Sequence, residues 1–157
     1  MARHSSSHDP DYRAMAEFRY QIRRFLRFSE DAARAASIEP QQYLMMLALK
    51  GMPPGVRARI GELAERLQIQ HHSTVELADR LASRGLVRRR RGETDRREVL
   101  LDLTPKGDKV LRQLAIHHRD VLRQSAPALV GALRKLVGTH GRSNGHVPRP
   151  AGRVKKA

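Results

Sequence analysis

The chain has 157 residues, which is enough for one domain with a real hydrophobic core and too few for two ordinary domains. Its 31 lysines and arginines outnumber 16 aspartates and glutamates, and the formal net charge of +15 favours an anionic partner, with nucleic acid ahead of an anionic membrane. The absence of cysteine excludes disulfides, thiolate zinc sites and thiol-based redox sensing within this sequence.

Membrane-spanning and secretory signals are missing from the sequence. No apolar run approaches the roughly 18 to 20 residues that a spanning helix needs, and residues 1–12 lack the apolar core of a signal peptide. We therefore expect a cytoplasmic protein with no membrane partner. Residues 1–10 and 139–157 are polar or basic with few apolar side chains, so we expect disordered tails on either side of one domain at 11–138.

A long helix is predicted from residue 11 to residue 36, because a narrow and mostly apolar stripe lies on one helical face. The members of this stripe are Phe18, Ile22, Phe25, Leu26 and Ser29. Such a stripe is typical either of a core helix or of a helix that packs against another chain. A second, largely apolar helix is predicted to begin at Pro40, which suits the first helical position, and to end at Gly51.

Two short helices joined by a tight turn are predicted between residues 60 and 83. Each buries one face at the spacing i, i+3, i+4, i+7. The buried positions are Ile60, Leu63, Ala64 and Leu67 in the first helix and Thr74, Leu77, Ala78 and Leu81 in the second. Residues 68–70 form the turn, the second helix runs from about His71 to Ser83, and Gly85 is expected to cap it in the left-handed conformation.

A β-hairpin with a projecting loop is predicted next. Leu86 and Val87 open its first strand. In the return strand, one face is predicted to carry Val99, Leu101 and Leu103 and the other Glu98, Leu100 and Asp102. Residues 91–97 are too many for a tight hairpin turn and too polar to be buried, so they are expected to project as a loop.

Two more helices are predicted after the hairpin, beginning with Thr104 as N-cap and Pro105 at the first helical position. The first of them has a heptad-like stripe that suits pairing with the first helix of this chain or of a second subunit. That stripe contains Val110, Leu111, Leu114, Ala115, Val121 and Leu122. Residues 125–127 are predicted to interrupt the helix, and the last helix, which ends at Gly138, is predicted to bury Leu129, Val130, Leu133, Leu136 and Val137.

These elements predict a mainly α fold with a small antiparallel β wing, in which residues 40–104 form a winged helix-turn-helix. In such a unit the second short helix fits the DNA major groove, and the wing follows the backbone or enters the minor groove. The candidate base-reading residues are Gln70, His71, His72, Ser73, Val75 and Glu76. The candidate wing and backbone contacts are Arg80, Arg89, Arg91, Asp95, Arg96 and Arg97.

Asp95 and Arg97 are the sharpest feature of the predicted wing. A carboxylate two residues before an arginine can brace the guanidinium by a charge-assisted hydrogen bond, and a narrow minor groove attracts such an arginine. The alternative is a solvated loop with an incidental pair that contributes little. Taken alone, the sequence leaves both interpretations open.

From Ile38 to about Leu122 the chain resembles the MarR family of winged-helix transcriptional regulators. The resemblance lies in IGELAERL, in the L-x-x-x-G-L-V-x-R joint, in the D-x-R wing of Asp95 and Arg97, and in the L-T-x-x-G that starts at Leu103. It implies a homodimer in which the long helices at 11–36 and 105–138 interlock. It also implies that Arg97 enters the minor groove with Asp95 as its brace, and that a small-molecule cavity or its remnant lies between the dimer helices and the DNA-binding lobe.

The sequence departs from the family pattern on the reading helix. Where many members have Thr-Arg, this chain has Val75 and Glu76, so a shared operator code cannot be assumed. Glu76 could accept a hydrogen bond from a cytosine amino group or pair with Arg80 four residues later, and the sequence slightly favours the pair.

An effector pocket for a small hydrophobic or aromatic molecule is suggested by residues between the first two helices, although aromatic and methionine stripes at helical spacing are usually core. These residues are Phe25, Phe28, Tyr43, Met46 and Leu47. His117 and His118 could sense pH or ligand, but adjacent histidines point to different faces, so a shared metal is not expected.

The sequence thus predicts a dimeric, sequence-specific double-stranded DNA-binding regulator that acts as a repressor, with no cofactor and no metal. The alternative is a protein that binds nucleic acid or an anionic membrane surface non-specifically, through bulk positive charge. An enzyme is not expected, because the sequence has no phosphate loop, zinc-protease spacing, nucleophile elbow or acid pair.

Overall fold

The structure, a computed structural model, describes residues 11–93, 95 and 97–138. Within these residues the elements are α1 Tyr12–Ala35, α2 Pro40–Lys50, α3 Ile60–Leu67, α4 His71–Ser83, β1 Val87–Arg91, β2 Val99–Leu103 and α5 Pro105–Gly138. This mainly helical fold with a small antiparallel sheet confirms the predicted fold class. No described helix is both long enough and apolar enough to cross a membrane. The two predicted tails and Arg96 lie outside the described residues.

The long helices α1 and α5 pack chiefly against each other. α1 begins at an N-cap in which the Asp11 carboxylate accepts a hydrogen bond from the Ala14 backbone at 2.9 Å. It ends before Ser37, whose φ of +57° turns the chain towards α2. Glu39 and Gln42 then cap the start of α2 reciprocally, and Pro40 takes the first helical position as predicted.

The predicted interruption at residues 125–127 is wrong, because α5 runs continuously through Pro127. Proline lacks the N–H that would bond one turn back, and its ring crowds the carbonyl there, so its position in a helix interior is costly. Beyond Pro127, however, α5 packs on the first turns of α1, where Ala14 and Ala132 are both buried and line the same cleft. Tertiary packing of the two helices outweighs the local preference for a break.

The far half of α5 is also less buried than the sequence predicted. Val130, Leu133 and Val137 are exposed, Val137 to 67%, and Leu129 and Leu136 are half-buried. The reason is that α1 covers the face of α5 that carries the small Ala132 and leaves these larger side chains uncovered. With the exposed Tyr12 and Met15 of α1, the exposed Val130, Leu133 and Val137 of α5 make up a set of apolar side chains that we call the apolar strip.

The two short helices form the predicted helix-turn-helix. α3 ends at Gln68 in the left-handed conformation. α4 ends in a Schellman motif, in which Leu86 N–H donates to Leu81 O at 3.0 Å and Gly85 N–H donates to Ala82 O at 2.9 Å. Gly85 has a φ of +67°, which confirms the predicted left-handed cap. This cap turns the chain directly from the end of α4 into β1.

β1 and β2 form an antiparallel hairpin in which Val87 faces Leu103 and Arg91 faces Val99. The predicted alternation in β2 is only partly correct, because Leu100 is 2% exposed and Val99 is 38% exposed. Leu100 is buried because the link before α3 runs beside β2, with Leu101 N–H donating to Ala58 O at 3.0 Å. The hairpin therefore has a third, short extended segment along its second strand.

Thr104 and Gly107 explain why α5 starts where it does. The Thr104 hydroxyl donates to Gly85 O at 2.7 Å and accepts from Gly107 N–H at 3.0 Å, which caps the helix and ties it to the end of α4. A Cβ atom on Gly107 would lie 2.0 Å from Leu86 O, so only glycine fits this close approach. The hydrophobic core beneath includes Met45, Met46, Leu63, Leu81, Leu86 and Leu101.

Candidate nucleic-acid interface

The start of α4 is an exposed, mostly polar surface. Of the six predicted base-reading residues, Gln70, His71, His72 and Glu76 are exposed and Ser73 and Val75 are half-buried. Thr74 lies among them but is buried, and its hydroxyl donates to Gln70 O at 3.0 Å. The opposite face of α4 is fixed in the core by Leu77, Ala78 and Leu81. The polar face is thus presented on a rigid element and is accessible to a groove.

Glu76 and Arg80 do not form the ion pair that the sequence favoured. Neither residue makes an ion pair with any residue that the structure describes. Instead, Arg80 lines a cleft of about 500 Å³ with Glu30, Arg34 and Leu77, between α4 and the ends of α1 and α2. The Glu76 carboxylate is exposed, which leaves it able to accept a hydrogen bond from an external donor.

Three of the arginines on β1 form ion pairs with acidic side chains. The Arg89 guanidinium lies 2.7 Å from the Asp79 carboxylate, which links the wing to α4. On β2, the Asp102 carboxylate lies 2.8 Å from the Arg90 guanidinium and 3.9 Å from the Arg88 guanidinium. These pairs lower the local positive potential, and the pair of Arg89 with Asp79 links the hairpin to α4. Arg91, at the end of the strand, is exposed.

The wing loop places Asp95 and Arg97 at the surface, but their contact is not the predicted one. The Asp95 carboxylate accepts a hydrogen bond from the Arg97 backbone N–H at 2.9 Å. An aspartate readily bonds the backbone two residues on, which closes a local turn. Asp95 therefore braces the main chain at Arg97, and the Arg97 guanidinium forms no ion pair with a described residue.

Two further residues of this region link separate elements, and the sequence did not identify them as links because their partners are distant in the chain. Glu98 is nearly buried and pairs with Arg57 and Arg59 of the link before α3. Arg84, at the end of α4, donates to Gln42 Oε1 at 2.7 Å and to Ser37 O at 2.8 Å. No local spacing in the sequence indicates the partners of these two residues.

The predicted effector-pocket residues are split between core and surface. Tyr43 and Met46 are buried, the Tyr43 ring stacks on His118 with centroids 4.4 Å apart, and burial raises the pKa of the Tyr43 hydroxyl. Leu47 is exposed. Phe25 and Phe28 are half-buried. The structure therefore does not bring these five side chains together around one cavity.

An open groove of about 670 Å³ lies beside Phe28 on α1 and α5. Its lining includes Arg23, Arg24, Arg27, Asp31 and His117. His117 faces this groove with its ring 5.2 Å from Phe28, whereas His118 is buried with Nδ1 2.6 Å from Leu114 O. The two histidines thus differ in exposure, but the His118 ring also lies 5.7 Å from Phe28, so they do not point to fully separate faces. The described residues contain no group of three or more side chains arranged to hold a metal ion.

Comparison with known sequences gives two findings. Residues 36–98 match the sequence model of the MarR family. The chain is also similar to YsmB, an HTH-type transcriptional regulator of Bacillus subtilis (strain 168), with 31% identity over 64 residues. The matched stretch covers 41% of this chain and 44% of that protein, so the chain spans less than half the length of this relative.

Solved structures resemble the fold over most of its length. AbsC, a MarR family transcriptional regulator from Streptomyces coelicolor, has a TM-score of 0.62 and 24% identity, over 80% of this chain and 89% of that one. The transcriptional repressor CouR, in a structure bound to a 23-mer DNA duplex, has a TM-score of 0.57 and 30% identity, over 76% and 87% of the two chains. The similarity to AbsC concerns the fold, whereas the similarity to CouR extends to the sequence.

Proposed function

Because the chain belongs to the MarR family of transcriptional regulators and not to a family of enzymes, we propose that it is a homodimeric, sequence-specific double-stranded DNA-binding repressor that acts in the cytoplasm. The observation that carries this proposal is the exposed polar start of α4, fixed by Asp79 and Arg89 to a hairpin whose loop presents Arg97. A helix and a projecting loop held in this way suit the major groove and the neighbouring backbone or minor groove.

In the proposed complex the start of α4 reads bases. His71 and His72 are exposed donors or acceptors in the first turn, and the free backbone amides there favour a phosphate. Glu76 is exposed without an ion pair to a described residue, which favours the cytosine amino group as its partner over Arg80. Val75 offers an apolar contact of the kind made with a thymine methyl group.

The wing supplies the second contact. Arg97 is exposed, and the backbone bond from its N–H to Asp95 fixes the direction in which the loop carries it. A narrow minor groove concentrates negative potential and attracts such an arginine. Arg80, Arg91 and Arg96 are proposed as phosphate contacts, which position the protein but do not read sequence.

Dimerisation is supported by the apolar strip that this chain leaves uncovered. The exposed side chains include Tyr12 and Met15 on α1 and Val130, Leu133 and Val137 on α5. Several exposed apolar side chains on two long helices that pack on each other suit burial against a second copy. A two-fold dimer would present two α4 helices to DNA half-sites about one helical turn apart.

A small hydrophobic or aromatic effector is proposed to relieve repression. Phe28 is the member of the predicted pocket that lines an open groove, and three arginines and His117 line the same groove. Tyr43 and Met46 lie in the core, so an effector would reach them only if α1 and α2 moved apart. Such a movement would change the position of α4 relative to the dimer helices, which provides a route from ligand to DNA.

Sequencing of the DNA fragments that the purified protein retains from its own genome tests the proposal. We expect a shared motif with two related half-sites, protected by the protein in a footprint. If retained fragments share no motif and random DNA displaces them fully, the protein binds through bulk charge and the proposal is wrong.

A further inference from the structure

Glu98 is a nearly buried carboxylate at the base of the wing, with 8% of its side chain exposed. Its Oε2 atom lies 2.5 Å from Nη1 of Arg57, and its Oε1 atom pairs with Nε of Arg59. The two arginines precede it by 41 and 39 residues, in the link between α2 and α3. A carboxylate so buried is stable as an anion only when it is paired and hydrogen-bonded. We call Glu98, Arg57 and Arg59 the Glu98 clamp.

Main-chain contacts on both sides of the clamp hold the neck of the hairpin. On the link side, Arg59 forms a β-bridge to Leu100. On the hairpin side, Gly92 N–H donates to Glu98 O at 2.9 Å, and a Cβ atom at Gly92 would lie 2.5 Å from Glu98 Oε2. The neck where the loop leaves the sheet is therefore packed from both directions, and Glu98 joins the two sides.

We propose that Glu98 is a positioning residue for DNA recognition: through Arg57 and Arg59 it fixes the direction in which the wing carries Arg97, and so contributes to sequence selectivity. The inference rests on the proposed function. Arg97 lies one residue before Glu98, and the Glu98 N–H donates to Asp95 O at 3.1 Å, so a shift of Glu98 moves the turn that presents Arg97.

Charge and geometry predict opposite effects when this carboxylate is removed. Glu98→Gln raises the net charge by one and removes the charge that pairs with two arginines, which favours any DNA through phosphate contacts. The same substitution removes contacts that hold the neck, so the Arg97 side chain takes a wider range of orientations. If Glu98 acts by position, affinity for the selected site falls while affinity for random DNA stays constant or rises.

The test uses two labelled duplexes of equal length. One carries the site that the wild-type protein enriches from a random-sequence library, and the other is a scrambled version of the same composition. For Glu98→Gln, we expect the ratio of the two affinities to fall about 10-fold, the low end of the loss expected for a misdirected groove contact. Hydrogen–deuterium exchange on the DNA-free protein should become faster at residues 91–99 and 56–60 and remain unchanged in α1.

Glu93→Gln is the matched control, because Glu93 lies in the same loop, is exposed, and makes no ion pair with a described residue. It makes the same charge change, and we expect it to leave the affinity ratio and the exchange pattern unchanged. Arg59→Gln breaks the clamp from the link side and lowers the net charge, so a fall in the ratio with this variant too cannot arise from added charge. It also serves if Glu98→Gln fails to fold.

Each outcome decides the inference. Unchanged exchange in both clamp variants would show that the clamp does not hold the neck, and faster exchange with an unchanged affinity ratio would show that the neck does not set selectivity. Either result overturns the role of Glu98 and leaves the proposed function intact. If the wild-type protein enriches no sequence from the library, the proposed function itself fails, and this inference fails with it.

Discussion

Arginines that look alike in the sequence have different environments in the folded chain. Arg89 is held by Asp79 and Arg90 by Asp102, whereas Arg97 is exposed without an ion pair to a described residue. A phosphate or a groove must compete with an existing partner for the first two but not for Arg97. The effect of each arginine on DNA binding therefore depends on its partners more than on its position in the hairpin.

Arg97→Ala is predicted to weaken binding to the selected site by about 1 to 3 kcal/mol, because it removes an oriented groove contact. The measurement is a fluorescence titration at fixed salt. Arg123→Ala, which removes the same charge from an exposed position on α5, is the control and should have little effect. Equal affinities for wild type and Arg97→Ala would show that the wing does not contact DNA through this residue.

Arg84→Met is predicted to lower the free energy of unfolding by about 1 to 2 kcal/mol, because it removes charged hydrogen bonds to Gln42 and to Ser37 O. Urea denaturation measures the change. Arg80→Met is the matched control on the same helix, because Arg80 makes no ion pair with a described residue, and it should change stability less. If both variants unfold at the same urea concentration as wild type, Arg84 does not link α4 to the α1–α2 turn.

At the scale of elements, most of the fold follows from local patterns, and the exceptions have non-local causes. Helical spacing, Pro40 and Gly85 predict α2 to α4 and their ends correctly, because capping and periodicity act over a few residues. The break at Pro127 is not formed because the part of α5 beyond it packs on α1. Leu100 and Glu98 are buried by a link that precedes them by about 40 residues, which no local pattern in the sequence reveals.

In the candidate interface, the sequence predicts which elements are exposed better than it predicts the partners of individual side chains. The exposed start of α4 and the exposed Arg97 lie where the helix-turn-helix and wing patterns place them. The details depend on side-chain choices among several partners: Asp95 bonds the backbone of Arg97, and Arg80 turns towards a cleft and away from Glu76. Competing contacts of similar energy decide such details.

The junction of α2 and α5 gives a prediction about pH. The hydrogen bond from Lys50, followed by that from Arg112, holds the pKa of the Asp108 carboxyl below its usual range. A folded-state pKa below the unfolded value stabilises the fold above the unfolded pKa of about 4, and this contribution is lost as pH falls through the folded value. Asp108→Asn should therefore unfold more easily than wild type at neutral pH.

The difference between Asp108→Asn and wild type should shrink as the pH is lowered through about 4 towards 2, measured by urea denaturation across that range. Asp120→Asn is the control, because Asp120 has only an exposed contact to Arg119 at 3.5 Å. A difference that stays constant with pH would show that Asp108 stabilises the junction without its charge.

At the scale of the whole molecule, the single chain leaves two surfaces unsatisfied. One is the polar and cationic face of α4 and the wing, and the other is the apolar strip on α1 and α5. In the proposed assembly DNA covers the first surface and a second copy of the chain covers the second, and the net charge of +15 makes association with DNA dependent on salt.

Leu133→Glu is predicted to shift the protein from dimer to monomer at micromolar concentration, because it places a charge in the apolar strip. Light scattering with size-exclusion chromatography measures the mass. Val56→Glu, at an exposed apolar position outside the strip, should remain a dimer. A wild-type protein that is monomeric under these conditions would contradict the proposed assembly.

The central claim is that the exposed start of α4 reads DNA sequence, and the ratio of affinities for selected and scrambled duplexes tests it most directly. Measured for the wild-type protein at one physiological salt concentration, the ratio is predicted to be about 1,000 or more. A ratio near one, with both affinities falling equally as salt is raised, would contradict the claim and identify a protein that binds by charge alone.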